Sequence, residues 1–236
     1  MTSIVLVQGA WEGGWYWRPM RQRLQAMGHD VFAPSLTGLG DRSHLLTPEV
    51  TLDTHIQDIA NLFEYEELTD AVLVGHSYGG MVITGVADRM PERIRTLFYL
   101  DAFLPEDGDS IMTLARPERH AATVAAVEAG DGWRVPPNTA EQWGVTDPEE
   151  ADWLDRLSGF HPYATMTQPI SLTGAHKQVP NRVYVLAAAY DPSPFQKFAA
   201  KAEAEGGWEM HEIDCHHFLN ISRAGEVADI VARAAA

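Results

Sequence analysis

The chain has 236 residues, 45% of them hydrophobic, enough for one sizeable α/β core with room for an insertion. Its 33 acidic and 17 basic residues leave a formal net charge of −16, a field that repels phosphate backbones and anionic bilayers, so neither nucleic acid nor membrane is an expected partner. No stretch reaches the roughly 18 uninterrupted apolar residues of a membrane span, no basic leader precedes the first apolar run, and the single cysteine, Cys215, excludes an internal disulfide, which fits a cytoplasmic protein.

The first element is "SIVLVQG" (3–9), an apolar run that ends in glycine and predicts a buried strand entering a turn. "RPMRQRLQAMG" (18–28) predicts a helix with Met20, Leu24 and Met27 at helical spacing and Gly28 as its stop. "HDVFAPSL" (29–36) reads as the next strand, followed by the loop "TGLGDRSH" and a helix over residues 52–66. Leu52, His55, Ile56, Ile59, Leu62 and Phe63 share one side of that helix. "DAVLVGHS" is a further buried strand, and "GGMVITGVADRM" a helix ended near Pro91. "IRTLFYLDAF" (94–103) and "NRVYVLAAAYD" (181–191) predict two more strands, and "GWEMHEIDCHH" (207–217) a weaker one. "AGEVADIVARAAA" closes the chain as an amphipathic helix. Strands alternating with helices predict a mostly parallel sheet covered on both faces.

Residues 105–180 break this rhythm, being rich in Pro, Trp and charge, with helical segments at "TVAAVEAG" and "PEEADWLDRLSG". The segment is short for a second core and lies between two predicted sheet strands. It reads as an inserted cap, with 1–104 and 181–236 forming the core.

Gly75-His76-Ser77-Tyr78-Gly79 fits G-x-S-x-G, with a strand before it and a helix after it. The five-residue pattern alone arises often by chance; the strand–turn–helix context is what makes Ser77 a candidate nucleophile. Glycines allow the sharp turn that lifts the hydroxyl above the sheet edge. The same turn sets the Tyr78 N–H at a helix start, where partial positive charge favours a developing oxyanion. Nucleotide binding has little support: there is no phosphate-binding G-x-x-x-x-G-K-[ST], and "GLGDRSH" lacks the third glycine of a dinucleotide fingerprint.

A serine hydroxyl needs a base, and the base an acid, in the chain order Ser, acid, His. His216 and His217 lie between the last predicted strand and the last helix, where a loop on the active edge is expected. Two aspartates end neighbouring strands: Asp191, before Pro192, is favoured as the acid, with Asp101 as the alternative. Asp214 is closer to the histidines in sequence and reads as a loop residue. His211, Asp214, Cys215, His216 and His217 match no zinc-binding spacing, so neither metal nor other cofactor is expected.

Together, "IVLVQGAWEGGWYWRPM", "LTGLGDRSHLL", "LVGHSYGGMV", "YLDAFLPEDG" and "HHFLNIS" resemble the α/β-hydrolase fold, over nearly the whole chain. More narrowly they resemble the small esterases that include plant methylesterases, hydroxynitrile lyases and bacterial pyrethroid and pesticide esterases. The resemblance implies a mostly parallel central sheet with helices on both faces and an inserted, mainly helical cap. It places the second oxyanion N–H at Ala10, selects His217 because the family histidine precedes a bulky apolar residue (here Phe218), and puts the acid after the strand that follows the cap, at Asp191. The chain departs from the family in having Gln8-Gly9 where His-Gly is usual, and "AAAYD" carries an extra or shifted residue. Gln8 is either a pocket residue or a polar strand end.

The resemblance implies a serine hydrolase acting on a small apolar or aryl ester, carbamate or lactone through an acyl-enzyme. Trp11, Trp133, Trp143, Trp153, Phe160, Tyr163 and Met166 are candidates to line its pocket. A hydroxynitrile lyase is the alternative enzyme, but the lyases carry threonine and lysine where this chain has Gly9 and Phe218. A non-catalytic small-ligand receptor is the third reading. Monomer and homodimer both stay open.

Overall fold

The computed structural model describes residues 1–190 and 193–236. In chain order the core begins with β1 (Ser3–Val7), α1 (Arg18–Ala26), β2 (Asp30–Phe32), α2 (Leu52–Tyr65), β3 (Ala71–Ser77), α3 (Gly79–Arg89) and β4 (Ile94–Ala102). The segment after β4 holds α4 (Ile111–Leu114), α5 (Pro117–Ala129), β5 (Arg134–Val135), α6 (Pro148–Leu157), β6 (His161–Pro162) and α7 (Tyr163–Thr167). The core resumes with β7 (Asn181–Ala187), α8 (Gln196–Glu205), β8 (Glu209–Ile213), α9 (Leu219–Ser222) and α10 (Ala224–Ala234).

Six strands form one sheet in the order β2-β1-β3-β4-β7-β8, every neighbouring pair parallel. Side chains alternate across it. Val5, Val7 and Leu73 pack with Ile56, Ile59 and Phe63 of α2 and Met81 and Ile83 of α3. Ile4, Leu6, Val72 and Val74 face Met20 and Leu24 of α1 and Val227, Ile230 and Val231 of α10. Full burial of β3 on both faces explains its uninterrupted apolar run. The segment from α4 to α7 adds no strand to this sheet; β5 and β6 form a separate antiparallel pair. Among the described residues no helix is long and apolar enough to cross a membrane.

Three predicted strands are markedly shorter than the sequence suggests, β8 spanning only Glu209–Ile213 of the predicted 207–217. β2 stops at Phe32, because Pro34 has no N–H to give the ladder and its neighbours are used elsewhere: Ser35 Oγ accepts from Gly14 N at 2.8 Å. β7 stops at Ala187. The next two residues turn toward β8, Ala188 N donating to Ile213 O at 2.8 Å and Ala189 N to Cys215 O at 3.2 Å. The alanine run therefore continues as a turn.

The α3 N-terminus is pressed onto the sheet edge. A Cβ on Gly79 would lie 2.6 Å from Val7 O, and one on Gly80 would lie 2.1 Å from Phe103 O, distances no side chain tolerates. Glycine at both positions lets α3 start directly behind Ser77, between the ends of β1 and β4.

Candidate active site

β3 delivers Ser77 with a φ of +54°, a left-handed conformation uncommon for a non-glycine residue. Its carbonyl accepts from Phe103 N at 3.1 Å, tying the turn to the end of β4. Ser77 is buried from bulk solvent but lines a cavity of about 180 Å³, together with Ala10, Trp11 and Tyr78.

β4 supplies the acidic group through an irregularity. His76 pairs with Leu100 but Ser77 pairs with Ala102, so Asp101 is an extra residue in the ladder, with a φ of +42°. A bulge of this kind re-aims the side chain it inserts. Asp101 is fully buried; its Oδ1 accepts from Ala187 N at 3.1 Å, and its Oδ2 lies 2.6 Å from His217 Nδ1. Tyr184 Oη donates to Ala102 O at 2.7 Å and braces the bulge from β7.

The sequence reading favoured Asp191 over Asp101. The structure brings Asp101 to His217, and Asp191 lies outside the described residues. Both the resemblance and a strand read as far as residue 191 point to Asp191, whereas β7 ends at Ala187 and donates its Ala187 N–H to the Asp101 carboxylate.

His217 follows β8 in the loop before α9. Its ring stacks on Phe195 (centroids 4.9 Å apart, planes 2° apart) and on Trp143 (4.8 Å, 28°). Burial penalises the charged form of each partner, raising the Asp101 pKa while the Ala187 N–H pulls it back, and lowering that of His217 to about 3, with His216 adding to the depression. His216 turns elsewhere. Its Nδ1 accepts from Phe218 N at 3.2 Å, so its protonated Nε2 faces Ser222 Oγ, at 2.8 Å.

The turn after β1 is held on several sides. Gly9 N donates to Tyr16 Oη at 3.0 Å, Trp11 N to His161 Nδ1 at 3.3 Å, and Trp11 O accepts from Gly159 N at 2.9 Å. These bonds stabilise Trp11 at a φ of +73°. The backbone N–H groups of Ala10 and Tyr78 donate to no group among the described residues, and both residues line the cavity. Two unengaged donors beside a serine can receive an oxyanion.

Sequence reasoning did not single out the chain that joins this turn to the histidine. His76 Nε2 faces His217 O at 2.9 Å and must donate, which leaves His76 Nδ1 to accept from Tyr16 Oη at 3.1 Å. Tyr16 Oη in turn accepts from Gly9 N. His76 was visible only as the variable residue of the motif. Likewise His161, fully buried, reaches Thr165 Oγ1 at 2.7 Å through Nε2, which fixes Nδ1 as the acceptor for Trp11 N.

Of the pocket candidates, Trp11, Trp143 and Met166 line the cavity. The others lie elsewhere. Trp153 packs edge-on against Trp15 at 5.0 Å, Trp133 and Phe160 sit on Arg134, and Tyr163 is half-buried against the core. Gln8 is also absent from the lining: with its amide turned to satisfy both groups, it donates to Pro34 O and accepts from Leu36 N. It is the polar strand end, stitching β1 to the segment beyond β2. The remaining wall comes from α4, α5 and the loop before α8, including Ile111, Met112, Arg119 and Phe195. Among the described residues no cluster of three or more His, Cys, Asp or Glu side chains is placed to hold a metal.

This arrangement has counterparts. A model of the alpha/beta hydrolase family matches residues 4–230. The carbendazim hydrolyzing esterase of Nocardioides sp. (strain SG-4G) is 43% identical, over 98% of this chain and 99% of that one. An alpha-hydroxynitrile lyase of Arabidopsis thaliana is 36% identical over 44% of this chain and 40% of its own length. In fold, an extracellular alpha/beta-hydrolase from a Paenibacillus species superposes with a TM-score of 0.88 at 20% identity, covering 100% of this chain and 99% of that one. The chain belongs to the alpha/beta hydrolase family, within its group of small esterases.

Proposed function

We propose that this esterase cleaves its substrate with Ser77 as nucleophile, His217 as general base and Asp101 as the acid behind the histidine. The observation that carries the assignment is the 2.6 Å hydrogen bond from His217 Nδ1 to Asp101 Oδ2, at the edge where Ser77 stands on its strained turn. His217 Nδ1–H is the donor, which leaves Nε2 unprotonated to take the serine proton.

In the first half-reaction Ser77 Oγ attacks the ester carbonyl carbon as His217 Nε2 takes its proton. The negative charge that develops on the carbonyl oxygen is received by Ala10 N–H and Tyr78 N–H. Removing one such donor costs about 10²–10³ in turnover in well-studied enzymes. The intermediate collapses, His217 protonates the departing alcohol, and Ser77 keeps the acyl group. Water then enters, His217 takes its proton, and the acid product leaves. Asp101 orients the imidazole and stabilises its charged form without taking the proton itself.

The α4–α7 segment serves as the cap, since Ile111, Met112, Trp143 and Met166 roof the cavity over Ser77. Such a wall suits a small ester, or carbamate, with an aryl or apolar body. The name of the Nocardioides relative makes carbendazim a compound to try first. Lyase chemistry has less support: Phe218 is buried and apolar, and Gly9 offers no hydroxyl. The assignment of the nucleophile is tested with a fluorophosphonate probe and a p-nitrophenyl ester. Ser77→Ala should lose both labelling and turnover, and an active, labelled variant would remove serine from the mechanism.

A further inference from the structure

The cavity is apolar along most of its wall but not at one corner. Arg116, Arg119 and Thr123 stand at i, i+3 and i+7, on one side of α5 and its entry, and all three line the cavity. Arg119 is half-buried and rests against two adjoining indoles, its guanidinium carbon 5.9 Å from the Trp11 ring and 5.4 Å from that of Trp143, the rings themselves 6.0 Å apart. Asn138 and Gln142 complete the corner. On a chain of net charge −16, no described residue lining this cavity is acidic.

The hydrogen-bond inventory of the corner is one-sided. Arg119 Nη1 donates to Asn138 Oδ1 at 3.0 Å, using the one acceptor Asn138 has. Asn138 Nδ2 is buried with no partner. Gln142 Oε1 accepts from Thr139 N at 2.9 Å, leaving its Nε2 as a donor. Arg119 keeps further N–H groups in its planar fork. Thr123 Oγ1 donates to Arg119 O at 2.9 Å, and Arg116 Nη2 to Ser193 O at 2.8 Å. The groups left over are mostly donors, and a guanidinium drawn partly out of water is costly where its N–H groups find no acceptor. Burial accordingly pulls the Arg119 pKa below its ordinary value.

We infer that Arg119, beside the adjoining rings of Trp11 and Trp143, is a specificity subsite for a hydrogen-bond acceptor on the substrate, distinct from the ester that is cleaved. The inference rests on the esterase reading of the same cavity. The substrate class it names is an aryl ester or carbamate whose flat body carries a second acceptor, either an ionised carboxylate or a neutral ring nitrogen. The apolar wall holds the flat body, and the arginine fork holds its far edge.

The test compares methyl benzoate with methyl nicotinate and with the monomethyl esters of isophthalic and terephthalic acid, in the wild-type protein and in Arg119→Met. The subsite predicts that the kcat/KM ratio of an acceptor-bearing ester to methyl benzoate falls about 10- to 100-fold in Arg119→Met. A fall confined to the monocarboxylates assigns the corner to carboxylates; a fall for the nicotinate as well assigns it to neutral acceptors too. Ratios unchanged within about twofold overturn the proposal. A second readout needs no turnover: isophthalate should quench the tryptophan fluorescence of Ser77→Ala saturably, and Arg119→Met in that background should weaken binding by a similar factor. Binding that ignores Arg119 also overturns the subsite. Arg119-dependent binding without hydrolysis of any ester would instead remove the esterase reading and leave the subsite standing.

Discussion

Asp101 Oδ2 meets His217 Nδ1 at 2.6 Å because β4 carries one residue more than β3 at this point. Without the bulge, Asp101 would take an ordinary ladder position beside the serine strand. With it, the carboxylate is turned out of the ladder, fully buried, and given the Ala187 N–H as a second anchor. A backbone irregularity thereby sets the Asp101 carboxylate against the histidine ring.

The buried imidazole sets a pH dependence. In the proposed mechanism His217 acts as a base only when neutral, and burial lowers its pKa from 6.5 to about 3. Activity is therefore present above the lowered pKa and is lost as pH falls through it. The acid limb of kcat/KM should lie below pH 6.5 for the folded enzyme, measured on an ester without titratable groups. A midpoint at or above the ordinary imidazole value would contradict the burial argument.

Tyr16 links the turn after β1 to the loop that carries His217. Tyr16→Phe would strip a partner from Gly9 N and another from His76 Nδ1, both buried. Each unpaired buried group costs about 1–3 kcal/mol. The variant should melt at lower temperature and lose kcat more than KM, because the turn carrying Ala10 is loosened. Unchanged kcat and melting temperature would show that the chain Gly9–Tyr16–His76–His217 positions nothing.

Much of this site is readable from the residues. "GHSYGG" flanked by an apolar strand and a helix identifies the elbow, and the glycines it needs are those whose Cβ atoms would strike Val7 O and Phe103 O. The position of Asp101 is less readable, since a register shift leaves no mark in "LFYLDAF", where the aspartate looks like a strand end. Three alanines and a tyrosine before Asp191 resemble strand, yet the chain turns at Ala188 to bond Ile213. The pocket aromatics were chosen by residue type. Trp133 and Phe160 pack on Arg134, and Trp153 packs on Trp15, away from the cavity lining. The spacing of Arg116, Arg119 and Thr123 was the available signal for the polar corner, being polar at intervals where a helix usually buries apolar residues.

Asp88 anchors the stretch that leads from α7 back to β7. Near the end of α3, its carboxylate accepts from the backbone N–H groups of Thr173, Gly174 and His176, and from the side chains of Thr173 and His176. Burial pushes its pKa up, but the donors of Thr173 and His176 outweigh it and hold the carboxyl well below the usual range. The folded pKa lies below the unfolded one, so the stabilisation is present above the unfolded pKa of about 3.9 and is lost as pH falls through the folded one. Asp88→Asn should cost about 1–3 kcal/mol at neutral pH, with the gap to wild type narrowing below about pH 4. Denaturant unfolding at pH 7 and at pH 3.5 checks this; a gap that widens on acidification would contradict it.

The assignment of the acid is tested most directly by kcat/KM for a p-nitrophenyl ester in Asp101→Asn and Asp191→Asn, compared side by side after both are shown to be folded. If Asp101 orients His217, Asp101→Asn should lower turnover by a factor on the order of 10⁴, as loss of the correct imidazole tautomer does elsewhere, while Asp191→Asn stays within about tenfold of wild type. A larger loss in Asp191→Asn than in Asp101→Asn would contradict the triad of Ser77, His217 and Asp101.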